Sequence, residues 1–214
     1  GEGNLNWENS TFSNPLALLK GLSVSSTHDL VANTTLSYSL FENLDVKTSM
    51  GYTDLTHHES STFPSTMYDP AYGVGSEASY LFYTDTGRQS WIVEPQLNWW
   101  KMLGGLKMDV LVGATFQQQR NKSLSMQATG FSSNTMLYNP NAATDLLIMG
   151  FDDSEYKYQS VFGRANFNHK GKYILNLTGR RDGSSRFGPG KRFAWFGAVG
   201  AAWIIKKKKL FSDA

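Results

Sequence analysis

The sequence has no cysteine, little charge and no long apolar run. The missing cysteine excludes a disulfide scaffold and is compatible with either redox compartment. Charged residues make up 18% of the chain, which excludes a disordered acidic tail and a coiled coil. With 20 basic and 18 acidic side chains and a net charge of +2, there is no electrostatic footprint for nucleic acid. The longest apolar stretch, Phe193 to Ile205, carries Gly197 and Gly200 and is shorter than the ~18 residues that a spanning helix needs. A membrane β-barrel passes that test, because its strands are short and only half apolar. The chain opens Gly1-Glu2-Gly3-Asn4, without a start methionine or a signal peptide, so a processed product or a piece of a longer protein is expected.

What the sequence does have is glycine (20 of 214), aromatics (14%) and a two-residue period. From Leu44 to Tyr52, Leu, Val, Thr, Met and Tyr share one phase, and Asp45, Lys47, Ser49 and Gly51 the other. Leu106, Met108, Val110, Val112, Ala114 and Phe116 likewise oppose Lys107, Asp109, Gly113 and Thr115. The same alternation separates Trp91, Val93, Leu97 and Trp99 from Glu94, Gln96 and Asn98. It also runs through 161–168 and 173–180, where Arg164, Asn166, Asn176 and Arg180 keep to the polar phase. Leu30 to Leu40 and Phe193 to Trp203 alternate less cleanly, and Pro95 predicts a bulge or gap in its strand. About seven strands are expected: 30–40, 44–54, 90–100, 106–116, 158–168, 172–181 and 193–203.

The connections alternate in length. Phe41 to Asn43, Lys101 to Gly105 and His169 to Lys172 read as short turns. Leu55 to Ser90 and Gln117 to Tyr156 read as long loops, with a shorter one at Asp182 to Arg192. Short turns at one end and long loops at the other is how outer-membrane barrels are built. Aromatics gather at both ends of the alternating segments. Tyr38, Phe41, Trp99, Trp100, Phe167, Tyr173 and Trp203 lie at the short-turn end, and Tyr52, Trp91, Phe116, Phe193 and Trp195 at the other. The expected fold is all-β: an antiparallel meander forming an arc of a transmembrane β-barrel, open at both edges, with its apolar phase toward lipid. A secreted carbohydrate-binding β-sandwich and a small barrel enzyme are the alternatives.

Several strings resemble the SusC/RagA-like family of TonB-dependent outer-membrane transporters. They are Asn14-Pro15-Leu16-Ala17, the Trp91-to-Trp99 strand with Glu94, Leu97 and Asn98, and the series Phe162-Gly163-Arg164-Ala165-Asn166-Phe167, Lys172-Tyr173 and Arg181-Asp182-Gly183-Ser184-Ser185-Arg186-Phe187-Gly188. The resemblance implies a mid-barrel portion of a 22-stranded transporter in the outer membrane of a Bacteroidetes-type cell. It further implies import of glycans or peptides, a SusD-like lipoprotein lid, the TonB complex as power source, and no enzymatic activity or cofactor. It assigns structural roles to Arg164, Asn166, Arg181, Asp182, Gly183, Ser184, Ser185 and Arg186. Residues 1–29 are then an extracellular loop segment, 30–205 partial barrel, and 206–214 a periplasmic turn leading to the next strand. Lys206 to Lys209 stand where the family has a mixed or acidic turn.

Among candidate sites, His57-His58-Glu59 has no further spaced ligand for a metal, and His28, Asp29 and the serines align no nucleophile elbow. Asp182-Gly183-Ser184-Ser185 lacks P-loop lysine spacing and reads as a structural turn. Substrate contacts are expected from loop aromatics, Tyr68, Tyr72, Tyr80, Phe82, Tyr83, Phe131 and Tyr138, near Asp69, Glu77, Asn134 and Asn141. Flat rings beside amides and carboxylates suit sugar stacking with hydroxyl recognition.

Overall fold

The computed structural model describes residues 5–188 and 190–205. The two-residue period forms seven strands: β1 (Leu22–Phe41), β2 (Leu44–Phe63), β3 (Tyr80–Leu103), β4 (Leu106–Thr129), β5 (Asp145–His169), β6 (Tyr173–Ser184) and β7 (Phe193–Trp203). They make one antiparallel meander sheet in chain order, β1 to β7. The sheet is open: among the described residues, β1 neighbours only β2, and β7 only β6. No second sheet is present among them, which removes the support for a β-sandwich. The missing closing pair does the same for a small closed barrel.

Tight turns set the hairpins. Gly104 (φ 51°) with Gly105 (φ 85°), and Lys170 (φ 55°) with Gly171 (φ 65°), adopt left-handed backbone, as in hairpin turns whose twist matches the flanking strands. The Gly171 N–H donates to Asn168 Oδ1 at 2.9 Å, fixing the second turn.

Five of the strands outrun the sequence expectation. β1 begins at Leu22, β2 ends at Phe63, β3 begins at Tyr80, β4 ends at Thr129, and β5 begins at Asp145. The stretches read as long loops thus shrink to residues 64–79 and 130–144. In the added residues of β1 and β2 both phases are largely polar, and at 146–149 of β5 both are apolar, so the alternation is lost while the strands continue. Cross-strand polar pairs join there, Ser23 with Ser61 (2.7 Å), Thr27 with His57 Nδ1 (2.8 Å) and Thr84 with Ser125 (3.2 Å). β3 also continues through Pro95 without the expected gap.

The chain divides into two compact units. The first comprises Gly1–Leu30, Asp54–Gln89 and Arg120–Ser154. Its small core is Leu81, Ala128, Phe131 and Leu137, flanked by Ala142 and Ala143. Beside the core, the Ser65 N–H donates to Ser79 Oγ (2.6 Å), and Ser79 Oγ donates to Asn134 Oδ1 (2.5 Å), tying the 64–79 connection to the 130–144 connection. Three short 3₁₀ turns share one device. Asn14, Asp69 and Asn139 each precede a proline, and each accepts from the backbone N–H two residues on, at Leu16 (2.9 Å), Ala71 (2.9 Å) and Asn141 (3.1 Å).

The second unit comprises Val31–Thr53, Ser90–Gln119 and Glu155–Ala214. Its register separates two faces, because directly paired residues share a side of the sheet. One face carries Val161↔Arg181↔Trp195, Gly163↔Gly179↔Gly197, Ala165↔Leu177↔Val199 and Phe167↔Leu175↔Ala201. The other carries Phe162↔Arg180↔Phe196, Arg164↔Thr178↔Ala198 and Asn166↔Asn176↔Gly200. On the apolar face Val112, Val161 and Val199 are 49%, 58% and 75% exposed, so none of the described residues covers these positions.

Candidate functional site

The candidate aromatics do not gather in one place. Tyr68, Tyr72 and Tyr80 line one cavity of about 490 Å3 with Trp7, Phe12, Phe63 and Asp69. An adjoining cavity of about 560 Å3 is edged by Trp7, Tyr68 and Asp69 again, with Lys20. Phe63 stacks on Tyr80 with centroids 4.6 Å apart and meets Phe82 edge-on at 5.9 Å, so Tyr80 and Phe82 stand together on one side of β3. Burial, and secondarily Tyr68, raises the Tyr80 phenol above its ordinary value, keeping it neutral. Tyr83 lies on the other side of β3. Tyr72 and Tyr138 are exposed.

Phe131 corrects the sequence expectation. It is buried at 1% exposure in the core with Leu81 and Leu137, and so packs a connection onto the strands instead of offering a ring to a ligand. Asp69 is also committed: its Oδ2 accepts from Ser10 Oγ at 2.5 Å while its Oδ1 caps the following 3₁₀ turn. Asn134 is used in the clasp with Ser65 and Ser79, and Glu77 accepts from the Gly75 N–H at 3.0 Å. His57 Nε2 lies 3.7 Å from Glu59, and His58 Nδ1 lies 3.3 Å from Asp85. Among the described residues no cluster of three or more potential ligands gathers for a metal. Trp7, Phe12 and Phe63 were not legible as cavity residues. The sole sequence signal was an aromatic beside a turn proline at Phe63-Pro64, or isolated in a polar stretch at Trp7.

The RDGSSR string acts as a structural knot in the second unit. Arg180 Nε donates to Asp182 Oδ1 at 2.5 Å, Tyr158 OH donates to the same oxygen at 3.1 Å, and Arg180 also reaches Tyr158 OH. Arg181, on the opposite face, lies over the rings of Phe193 (4.3 Å) and Trp195 (5.4 Å). Gly183 pairs with Phe193, and a Cβ there would stand 2.5 Å from that ring, so the missing side chain lets the aromatic lie on the strand. The Ser184 N–H donates to Arg192 O (3.1 Å). The Ser185 N–H donates to Lys157 O (2.9 Å), and Ser185 Oγ accepts from the Lys157 N–H (3.0 Å). Arg186 stacks over Tyr156 at 4.3 Å. The motif thus fastens β5 to β6 and to the connection before β7.

The polar face of the same unit is cross-linked between strands. Thr115 Oγ1 donates to Glu94 Oε1 at 3.1 Å, Arg164 Nη2 stands 3.9 Å from Asp109, and Asn166 donates to Asn176. Asn98 Oδ1 and Ser160 Oγ are buried without a hydrogen-bond partner.

One open meander with an uncovered apolar face and a hydrogen-bonded polar face is the construction of a β-barrel wall. No protein-family model matches the chain. It is 29% identical over 184 residues to TonB-dependent receptor P3 of Formosa agariphila, covering 86% of this chain and 18% of that protein. It is 26% identical over 113 residues to TonB-dependent receptor SusC of Bacteroides thetaiotaomicron, covering 53% of this chain and 11% of that one. In fold it superposes on the RagAB peptide importer in its closed-closed state with a TM-score of 0.75, at 20% identity, covering 88% of this chain and 21% of that one. The chain therefore spans less than a fifth of the length of these curated relatives. In sequence and fold it is like a stretch of the SusC/RagA-like TonB-dependent transporters, as its motifs imply. The matched proteins bear the names of receptors and transporters, not of enzymes.

Proposed function

We propose that the chain is a length of barrel wall, with its connecting segments, in an outer-membrane TonB-dependent transporter that imports glycans or peptides. The observation that carries this reading is the uncovered apolar face from Val161 to Phe167 and its partners on β6 and β7, where Arg181 alone brings a charge, set against a polar face that keeps Arg164, Asn166, Asn176 and Arg180. A charge on a lipid face costs roughly 2–4 kcal/mol near the bilayer midplane, which accounts for that sorting. The apolar face meets lipid of the cell outer membrane, and the polar face looks toward the lumen. In the intact protein a SusD-like lipoprotein closes the extracellular side and the TonB complex supplies energy.

Within this division, residues 30–205 supply wall, and residues before 30 lead into it from the extracellular side. The 206–214 segment, assigned as a periplasmic turn, lies outside the described residues, as do Lys206 to Lys209. Substrate or lid contact falls to the cavity of Tyr68, Tyr72 and Tyr80, with Phe82 packed edge-on against Tyr80, while Tyr83 on the other side of β3 and exposed Tyr138 are separate candidates. Aromatic faces at the cavity wall give the stacking surface that a sugar ring or an apolar peptide side chain takes. Deleting residues 66–77 from the intact transporter should weaken nutrient or lid binding at least tenfold by calorimetry while the barrel keeps its heat-modifiable mobility. Unchanged affinity for every lid and nutrient tested would refute a binding role for this connection.

A further inference from the structure

At the end of the apolar face that bears the longer connections, the second unit holds a groove of about 460 Å3. Its floor is Trp91, Phe116 and Phe193, and its rim carries Lys157, Gln159 and Arg192. These groups belong to one side of the sheet. Gln159, Gly183 and Phe193 are paired across β5, β6 and β7. Trp91 Nε1 donates to Gln118 Oε1 (3.3 Å), and Gln118 donates to Glu155, two positions before Lys157 and hence in its phase. The three rings are each more than two-fifths exposed, so the floor is open to whatever surrounds the apolar face.

The rim is cationic where the apolar face stops. Lys157 pairs with Glu155 at 2.8 Å, but both are exposed, and such a pair yields readily to a stronger anion. Arg192 makes no ion pair among the described residues. Arg181 adds a third cation one pair along β6, held over Phe193 and Trp195. Three cations face one carboxylate at the edge of an aromatic floor. An uncharged amphiphile would fill the floor and leave the cations unused, whereas an acyl chain joined to a phosphate uses both.

We propose that this groove binds a phosphorylated, multiply acylated lipid of the outer leaflet, with one chain along Trp91, Phe116 and Phe193 and a phosphate at Lys157 and Arg192. The inference rests on the barrel-wall reading. The test uses the intact transporter purified in mild detergent, with bis-phosphorylated lipid A added and bound lipid counted by native mass spectrometry. Lys157→Gln combined with Arg192→Gln should weaken lipid A retention about thirtyfold, and Lys157→Arg with Arg192→Lys should preserve it. Wild-type protein should show a similar loss with lipid A stripped of its phosphates. Equal retention by the charge-removed variant, or equal retention of the phosphate-free lipid, would overturn the lipid site while leaving the barrel reading intact. Wild-type protein missing from the outer-membrane fraction would overturn both.

Discussion

Replacing Val110 with arginine puts a guanidinium on the apolar phase of β4, while Asp109→Asn, one residue away, alters only the polar phase. From Leu106 to Phe116 the strand rises about 34 Å. A tilt of ~45° reduces that to about 24 Å across the bilayer, close to the ~25 Å apolar band of outer-membrane barrels. Val110 then stands about 10 Å above the short-turn edge, close to the midplane, where an arginine costs about 2–4 kcal/mol. Asp109→Asn gives up a long ion pair, 3.9 Å from an Arg164 side chain that is more than half exposed, and should cost under ~1 kcal/mol. The assay is urea titration of the intact transporter folded into vesicles, with the folded fraction read from heat-modifiable mobility. A Val110→Arg loss below ~0.5 kcal/mol, or an Asp109→Asn loss larger than the Val110→Arg loss, would refute the assignment of faces.

Gly183→Ala sets a Cβ 2.5 Å from the Phe193 ring, which is itself clamped under Arg181, so a loss of about 1–3 kcal/mol is expected by the same titration. Equal stability would show that the ring swings free. Ser79→Ala removes the hydroxyl that links the Ser65 N–H to Asn134 Oδ1 in a fully buried site. It should destabilise the connections by about 1–3 kcal/mol locally, seen as faster proteolysis within 64–79 and unchanged barrel mobility. Wild-type cleavage rates would count against the clasp.

What the sequence made legible follows the lipid boundary. Where one face is apolar, as at Leu44 to Tyr52 or Leu106 to Phe116, the period named the strand and its neighbours in order. Beyond that band, at His57 to Ser61 or Gln117 to Ser123, both phases are polar, so the chain reads as loop although the strand continues. There hydroxyl and imidazole pairs such as Thr27 with His57 join the strands, and no single-residue pattern marks them. The Asn-Pro and Asp-Pro steps at 14, 69 and 139 were a readable signal for the 3₁₀ turns. The RDGSSR string was legible as a turn, and the two-residue period placed Arg180 and Arg181 in opposite phases, yet the stacking of Arg181 over Phe193 and Trp195 needed the register. Phe131 was misplaced because an aromatic in a connection looks alike whether it meets solvent or a four-residue core.

The central claim is that this chain is one part of a longer wall. An electron cryo-microscopy map of the intact transporter in a lipid nanodisc tests it most directly. The prediction is that β1 and β7 each hydrogen-bond to a strand from outside residues 1–214, with lipid density against Val112, Val161 and Val199. A ladder joining β1 to β7, or protein packed over that apolar face, would contradict it.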